Sequence, residues 1–303
     1  MSIEITKVSA GILAKAQSGE ITPPELDAYR AFLREVDSKF MDHRIIVDNR
    51  YCRWFARGEM TRSQLRHFIQ QFSVFSHFFL VAQLKKMINA GSLEGYRASK
   101  EILANELGVI FRKPGHTPAT PEGRLSDAEK DLSTDPELVS TEGTVDGGTF
   151  KFKAGHFEWL LRIGEQLGMG FSDLGKRRHG TPSTLFFCDE LERLYGSEDA
   201  NIGEGASFAV ENWAAAGFWK QLVEGLKRFK EREIPDLKLA FFTWHDAVED
   251  QHATHTQDEL AGVFFTDGFD RGKFISGGLE MLDGVARFWD GLYDDRNSAS
   301  AAA

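Results

Sequence analysis

The chain has 303 residues, a formal net charge of -10, 42% hydrophobic residues and two cysteines. That length buries a sizeable core without covalent staples, and Cys52 and Cys188 alone exclude a disulfide scaffold or a thiolate-rich metal cluster. The acidic balance argues against a nucleic-acid partner, because a phosphate backbone demands an excess of Lys and Arg. No run of about 18 uncharged apolar residues occurs. The opening Met-Ser-Ile-Glu-Ile-Thr-Lys also lacks the basic start and apolar run of a signal peptide. The expectation is a cytoplasmic protein without a membrane partner.

Helical signals follow in chain order. Thr22-Pro23-Pro24-Glu25 joins a cap, proline in the first turn and an acid at the third position, and opens a helix through Leu26, Tyr29, Phe32 and Leu33. Thr61, with Gln64 three residues on, opens another that reaches toward Asn89; Leu65, Phe68, Ile69, Phe72, Phe75, Phe79 and Leu84 recur at helical spacing. After Gly91 a helix runs from about Leu93 to Leu107. Residues 109–150 hold Pro114, Pro118, Pro121 and Pro136, half of the prolines in the chain, and have no sustained period. They read as a loop or lid insertion inside one domain. Helices resume over 153–167, from Pro182 through Leu194, over 206–229 up to Ile234-Pro235, over 237–262 and over 277–293, before a frayed tail at 297–303. No internal repeat and no Gly-rich phosphate loop interrupts them. Such elements pack as a single-domain, all-α bundle around one apolar centre.

The densest chemical signal is Thr-Trp-His245-Asp-Ala-Val-Glu249-Asp-Gln-His252-Ala-Thr-His255, where three of the nine histidines fall within 11 residues. On a helix, His245, Glu249 and His252 share one face within about 60°, while His255 sits at its edge. Phe241, Phe242, Val248 and Ala253 surround that face with apolar residues. A buried His–Glu–His row requires partners or a metal, and imidazole with carboxylate suits iron, manganese or zinc. A centre inside a bundle takes further ligands from facing helices. Glu106, His156 and Glu211 each interrupt an apolar face, with Glu101, Glu158 and Glu165 as rivals.

In order, Asn-Glu106-Leu-Gly, Gly-His156-Phe-Glu-Trp-Leu, Ala-Ser-Phe-Ala-Val-Glu211 and His245-xxx-Glu249-xx-His252 resemble the pattern of the heme-oxygenase-like dimetal oxidases and oxygenases, the superfamily that also holds the TenA-like and PqqC-like proteins. The segment from Gly58 to Phe72 resembles that family's second helix, and the likeness covers roughly residues 40–295. It implies a heme-oxygenase-like bundle with two ions. Glu106, His156 and His252 would stand around one ion and Glu211, His245 and Glu249 around the other, with the sharing left open. Two departures stand out: Glu249 replaces the Asp frequent in relatives, and 49 residues separate Glu106 from His156. Gln71, on the early helix, becomes a candidate for holding water or substrate beside Glu211, or else a surface residue.

Three carboxylates and three imidazoles around two divalent ions give a near-neutral centre that survives burial. The resemblance implies two Fe(II) ions, manganese fitting the same donors, with O2 as co-substrate and a separate electron donor. It further implies oxidation of a small amine, amino-acid or fatty-acid-like substrate by N-oxygenation, desaturation or C–C cleavage. The rival readings are a metal-free enzyme of the TenA or PqqC kind, for which Cys52 or Cys188 would supply a nucleophile, and a metal-binding protein without an organic substrate. Homodimer and monomer are both compatible with the sequence.

Overall fold

Caps and apolar periodicity position most of the helices. The computed structural model describes residues 5–110, 141–145, 148–152 and 154–298, with the side chains of 94, 110, 141–152 and 248–259 outside that description. Helix α1 is Ala10–Ser18, and α2 is Pro23–Val36, where the Thr22 N–H donates to the Glu25 carboxylate at 2.8 Å. Two short helices, α3 (Arg44–Val47) and α4 (Arg50–Phe55), precede the long α5 (Arg62–Ile88). Thr61 and Gln64 exchange backbone and side-chain hydrogen bonds at 2.8 and 3.2 Å, the reciprocal cap that the sequence predicts. Helix α6 is Leu93–Glu106. After the insertion come α7 (His156–Gln166), α8 (Pro182–Tyr195), α9 (Ala200–Ala214), α10 (Phe218–Glu233), α11 (Ala240–Phe264) and α12 (Arg271–Asp295). The chain is an all-α bundle.

Several features differ from expectation. The single helix expected over 206–229 is two, α9 and α10, because Gly217 adopts φ +97 and reverses the chain. The reversal stacks Trp213 on Phe218 at 4.4 Å between ring centres. The last helix begins six residues earlier than Gly277, where the Asp270 side chain caps Lys273 N–H at 3.1 Å, and α7 begins at His156 rather than near 153. The insertion is not wholly irregular. Strands β1 (Val109–Ile110), β2 (Thr141–Val145) and β3 (Gly148–Phe152) form an antiparallel sheet in the order β1-β3-β2. The β2–β3 register leaves Asp146 and Gly147 between the strands, and Asp-Gly at such a link is a strong hairpin signal in a sequence. Residues 111–140 and the end of the expected frayed tail, 299–303, lie outside the described residues.

One apolar core extends from Ile5 to Leu292. Its middle is aromatic: Phe72, wholly buried on α5, meets Trp219, Phe241, Phe242 and Trp289 at centroid distances of 5.7, 5.8, 5.6 and 6.4 Å. Each ring so buried stabilises the fold by about 1.5–3 kcal/mol relative to exposure. Helices α5, α8, α9 and α12 form the contiguous centre, α6 lies on α5, and α10 and α11 pair beside α9. Among the described residues no helix is long and apolar enough to cross a membrane.

Burial also writes a pH dependence into α5. His67 has a buried Nε2 without a hydrogen-bond partner, and desolvation pulls its pKa below the ordinary 6.5 against a weaker opposing pull from Asp295. The unfolded chain then takes up the proton first, so this contribution is complete above about pH 6.5 and is lost as the pH falls through that value. Urea midpoints at pH 7.5 and 5.5 are expected to fall with pH in the wild type and to fall less in His67→Gln. An identical fall in both would exclude His67 as a source.

Candidate metal centre

Glu106 is the last residue of α6 and His156 the first of α7. The sequence between them leaves and returns at one place, because β1 follows α6, β3 approaches α7, and the two pair with Val109 opposite Phe152 and Ile110 opposite Lys151. Gly155 closes the approach: a Cβ there would stand 2.9 Å from the Glu106 carbonyl oxygen. Its N–H donates to the Glu158 carboxylate at 2.7 Å, which caps α7 and sets His156 at the first turn.

His245 joins them from the second turn of α11. Each of Glu106, His156 and His245 offers a ligand atom, and these three atoms all lie within 4.8 Å of one another. The histidines are 5% and 7% exposed and the Glu106 side chain 15%. Glu106 Oε2 is 2.9 Å from His156 Nδ1, yet the contact lacks hydrogen-bond geometry, and Nδ1 remains a buried polar atom without a hydrogen-bond partner. Donors placed side by side, rather than head-on, suit a shared cation. Around one ion at roughly 2.0–2.2 Å, neighbouring donors stand about 3–4 Å apart, so side-chain movements of about an ångström complete the set.

The local hydrogen bonding agrees. His245 Nδ1 lies 2.6 Å from the Phe241 carbonyl oxygen. A carbonyl only accepts, so Nδ1 carries the proton and Nε2 the lone pair, the outer-shell device that fixes a metal-binding histidine. Aromatic rings wall the cluster. Trp219 stacks on His245 at 4.5 Å, Phe241 touches it at 4.3 Å, and Trp244 lies 4.9 Å from His245 and 4.8 Å from His156. Trp159 stands 5.4 Å from His156. The indole N–H groups of Trp219 and Trp244 are also buried without acceptors. Each such atom calls for an explanation, and a ligand is one. Two imidazoles and one carboxylate are the donor set of non-heme ferrous sites, and manganese or zinc suits the same atoms. The residues present fit a metal ion.

The other predicted ligands divide. Glu211 is buried on α9, outside the group of three, and its Oε1 accepts from the Tyr195 hydroxyl at 2.8 Å. The side chains of Glu249 and His252 lie outside the described residues, although the backbone of α11 runs helical through both. The expected sharing changes in one respect: His245, expected beside Glu211, stands with Glu106 and His156, because α7 packs against α11. Gln71 is buried with its amide engaged by backbone groups. Its Nε2 donates to the His179 carbonyl oxygen and its Oε1 accepts from Thr181 N–H, both at 2.8 Å, so its amide latches the loop before α8 onto α5. Among the rivals, Glu101 and Glu165 are exposed and Glu158 is the α7 cap.

Both cysteines are buried. Desolvation pushes the Cys188 thiol up to about 12 and the Cys52 thiol well above its ordinary value. Neither is a thiolate at neutral pH, and a thiolate is what nucleophilic cysteine chemistry requires. Phe241 is the apolar neighbour that the sequence places beside the His245 face, whereas the walls formed by Trp219 and Trp244, and the Tyr195 contact to Glu211, escaped the sequence reading. Trp244 beside His245 was the available signal for the first. No protein-family model and no curated protein matches the chain.

Proposed function

We propose that the protein is a non-heme iron oxidase or oxygenase that uses O2 to oxidise a small amine, amino-acid or fatty-acid-like substrate. Glu106, His156 and His245 would hold one ion; the resemblance to heme-oxygenase-like dimetal enzymes implies a second, for which Glu211, Glu249 and His252 are the remaining candidates. The observation that carries the reading is the convergence of two imidazoles and a carboxylate within 4.8 Å inside an aromatic wall. Ferrous iron at such donors supplies the electrons for reducing O2 and open positions where substrate meets it.

The chain's own residues do the rest. Phe241 holds the His245 proton on Nδ1 and directs Nε2 to the site. Trp159, Trp219, Phe241 and Trp244 exclude bulk water, which strengthens charge interactions among the ligands and protects reactive species.

The test is anaerobic titration with ferrous iron followed by exposure to O2. About two ions bound per chain, with O2 uptake that requires them, is the expected result. No binding above background would remove the reading.

A further inference from the structure

Behind Glu211 lies a buried chain of hydrogen bonds that the ligand set does not include. Lys86 Nζ, on the last turn of α5, donates to the Ser207 hydroxyl at 2.6 Å. Ser207 donates to the Tyr195 hydroxyl at 3.4 Å, and Tyr195 donates to Glu211 Oε1 at 2.8 Å. All four residues are buried, at 6%, 2%, 1% and 8% exposure along the chain. Three helices contribute: α5 gives Lys86, α8 gives Tyr195 as its last residue, and α9 gives Ser207 and Glu211 one turn apart.

The chemistry of the two ends fixes the direction of every bond. An ammonium only donates, so the Ser207 oxygen accepts and its proton is turned toward Tyr195. At the other end the Tyr195 proton is turned toward the Glu211 carboxylate oxygen. Each hydroxyl therefore accepts from the lysine side and donates to the carboxylate side, and hydrogen bonds in one sense polarise one another. The lysine charge reinforces the arrangement. Its Nζ stands 5.4 Å from the Tyr195 ring centre and 3.9 Å from Glu204 Oε2, one turn before Ser207 on α9. Phe79 meets the Tyr195 ring at 5.5 Å and limits its rotation.

We infer that Lys86, Ser207 and Tyr195 are positioning residues that pin Oε1 of Glu211, so that the carboxylate meets a metal ion in one orientation. This rests on the metal-centre reading, in which Glu211 is a ligand of the second ion. A carboxylate pinned at one oxygen loses the freedom to rotate, and outer-shell partners of this kind raise metal affinity by about 10–100-fold.

The test uses the full chain loaded anaerobically with Co(II), whose visible absorption reports coordination. Tyr195→Phe keeps the ring and removes the donor. It is expected to weaken one of two bound ions by about tenfold or more and to alter the Co(II) bands, leaving the other ion at wild-type affinity. Ser207→Ala is expected to repeat the effect in milder form, and Ser207→Thr, which keeps a hydroxyl, to restore it. A structural role alone would lower the unfolding midpoint of these variants without changing the bands or the affinity. Two ions in the wild type with unchanged affinity and spectrum in Tyr195→Phe and Ser207→Ala would overturn the inference while leaving the metal centre standing. A wild type that binds no ion would overturn both.

Discussion

Replacing His245 by alanine is expected to abolish tight iron binding at the Glu106–His156 site and, with it, iron-dependent O2 uptake. The substitution removes one of three donors in a set with no described spare, since Glu101 and Glu165 are exposed and Glu158 is engaged as a cap. The loss should exceed the 10–100-fold typical of removing an outer-shell partner, because a ligand bond itself is gone. His156→Ala and Glu106→Gln should behave alike. Glu165→Gln, on the exposed face of α7 beside Arg162, should bind iron as the wild type does. Iron content after anaerobic loading and desalting is the measurement. Wild-type content in His245→Ala would mean that the three side chains are a satisfied core cluster.

The largest stability effect is expected at Gly205. Helices α9 and α12 approach so closely there that a Cβ would stand 2.7 Å from the Phe274 carbonyl carbon, with the carbonyl oxygen nearer still. The contact is reciprocal: a Cβ on Gly277 of α12 would lie 2.5 Å from the Ile202 carbonyl oxygen of α9. Backbone cannot turn aside as a side chain can. Gly205→Ala should therefore cost about 3 kcal/mol or more, the upper range for overpacking a core, and lower the melting temperature by roughly 5–10 °C. Gly262→Ala is the internal comparison. It lies inside α11 with nothing within 4 Å of a new Cβ, so alanine's better helix propensity should leave stability unchanged or raise it by up to about 1 kcal/mol. Equal midpoints for the two variants would contradict the close α9–α12 packing. Since Ser207 and Glu211 ride on α9 beside this contact, Gly205→Ala should also disturb the proposed second metal site.

Much of the helical fold was legible because helices advertise their starts locally. Thr22, Thr61 and Pro182 stand where the structure begins helices, and the apolar spacing through α5 predicts the face that holds Leu65, Phe68 and Phe72. Helices α3 and α4 were missed because four and six residues are too few to display a period. The break between α9 and α10 was visible as Gly217, but apolar residues on both sides continue the helical spacing, and only the packing of Trp213 on Phe218 decides for a reversal. The hairpin escaped because its strands are polar and short, so the alternation that marks a half-buried strand is weak.

The site was legible where its residues share one helix. His245 declares itself through its spacing from Glu249 and His252. The meeting of Glu106 with His156 depends on the pairing of β1 with β3, and no local spacing encodes that contact. It was reached only through the order of motifs in a resembling family. Lys86 looks, beside Lys85, like an ordinary basic residue at a helix end, and nothing in its neighbourhood announces a buried link to Tyr195. Gln71 was legible as either a site-facing or a surface residue; it is buried, and its partners are the backbone atoms of a loop more than 100 residues away, which no local spacing announces.

The measurement that bears most directly on the whole account is the ferrous iron stoichiometry of the wild-type chain, taken anaerobically beside His245→Ala and followed by O2 uptake. The account predicts about two ions per wild-type chain, O2 consumption only when they are present, and in the variant the loss of the ion at the Glu106–His156 site together with O2 uptake. A wild-type chain that binds no iron, or that binds it identically without His245, would contradict it.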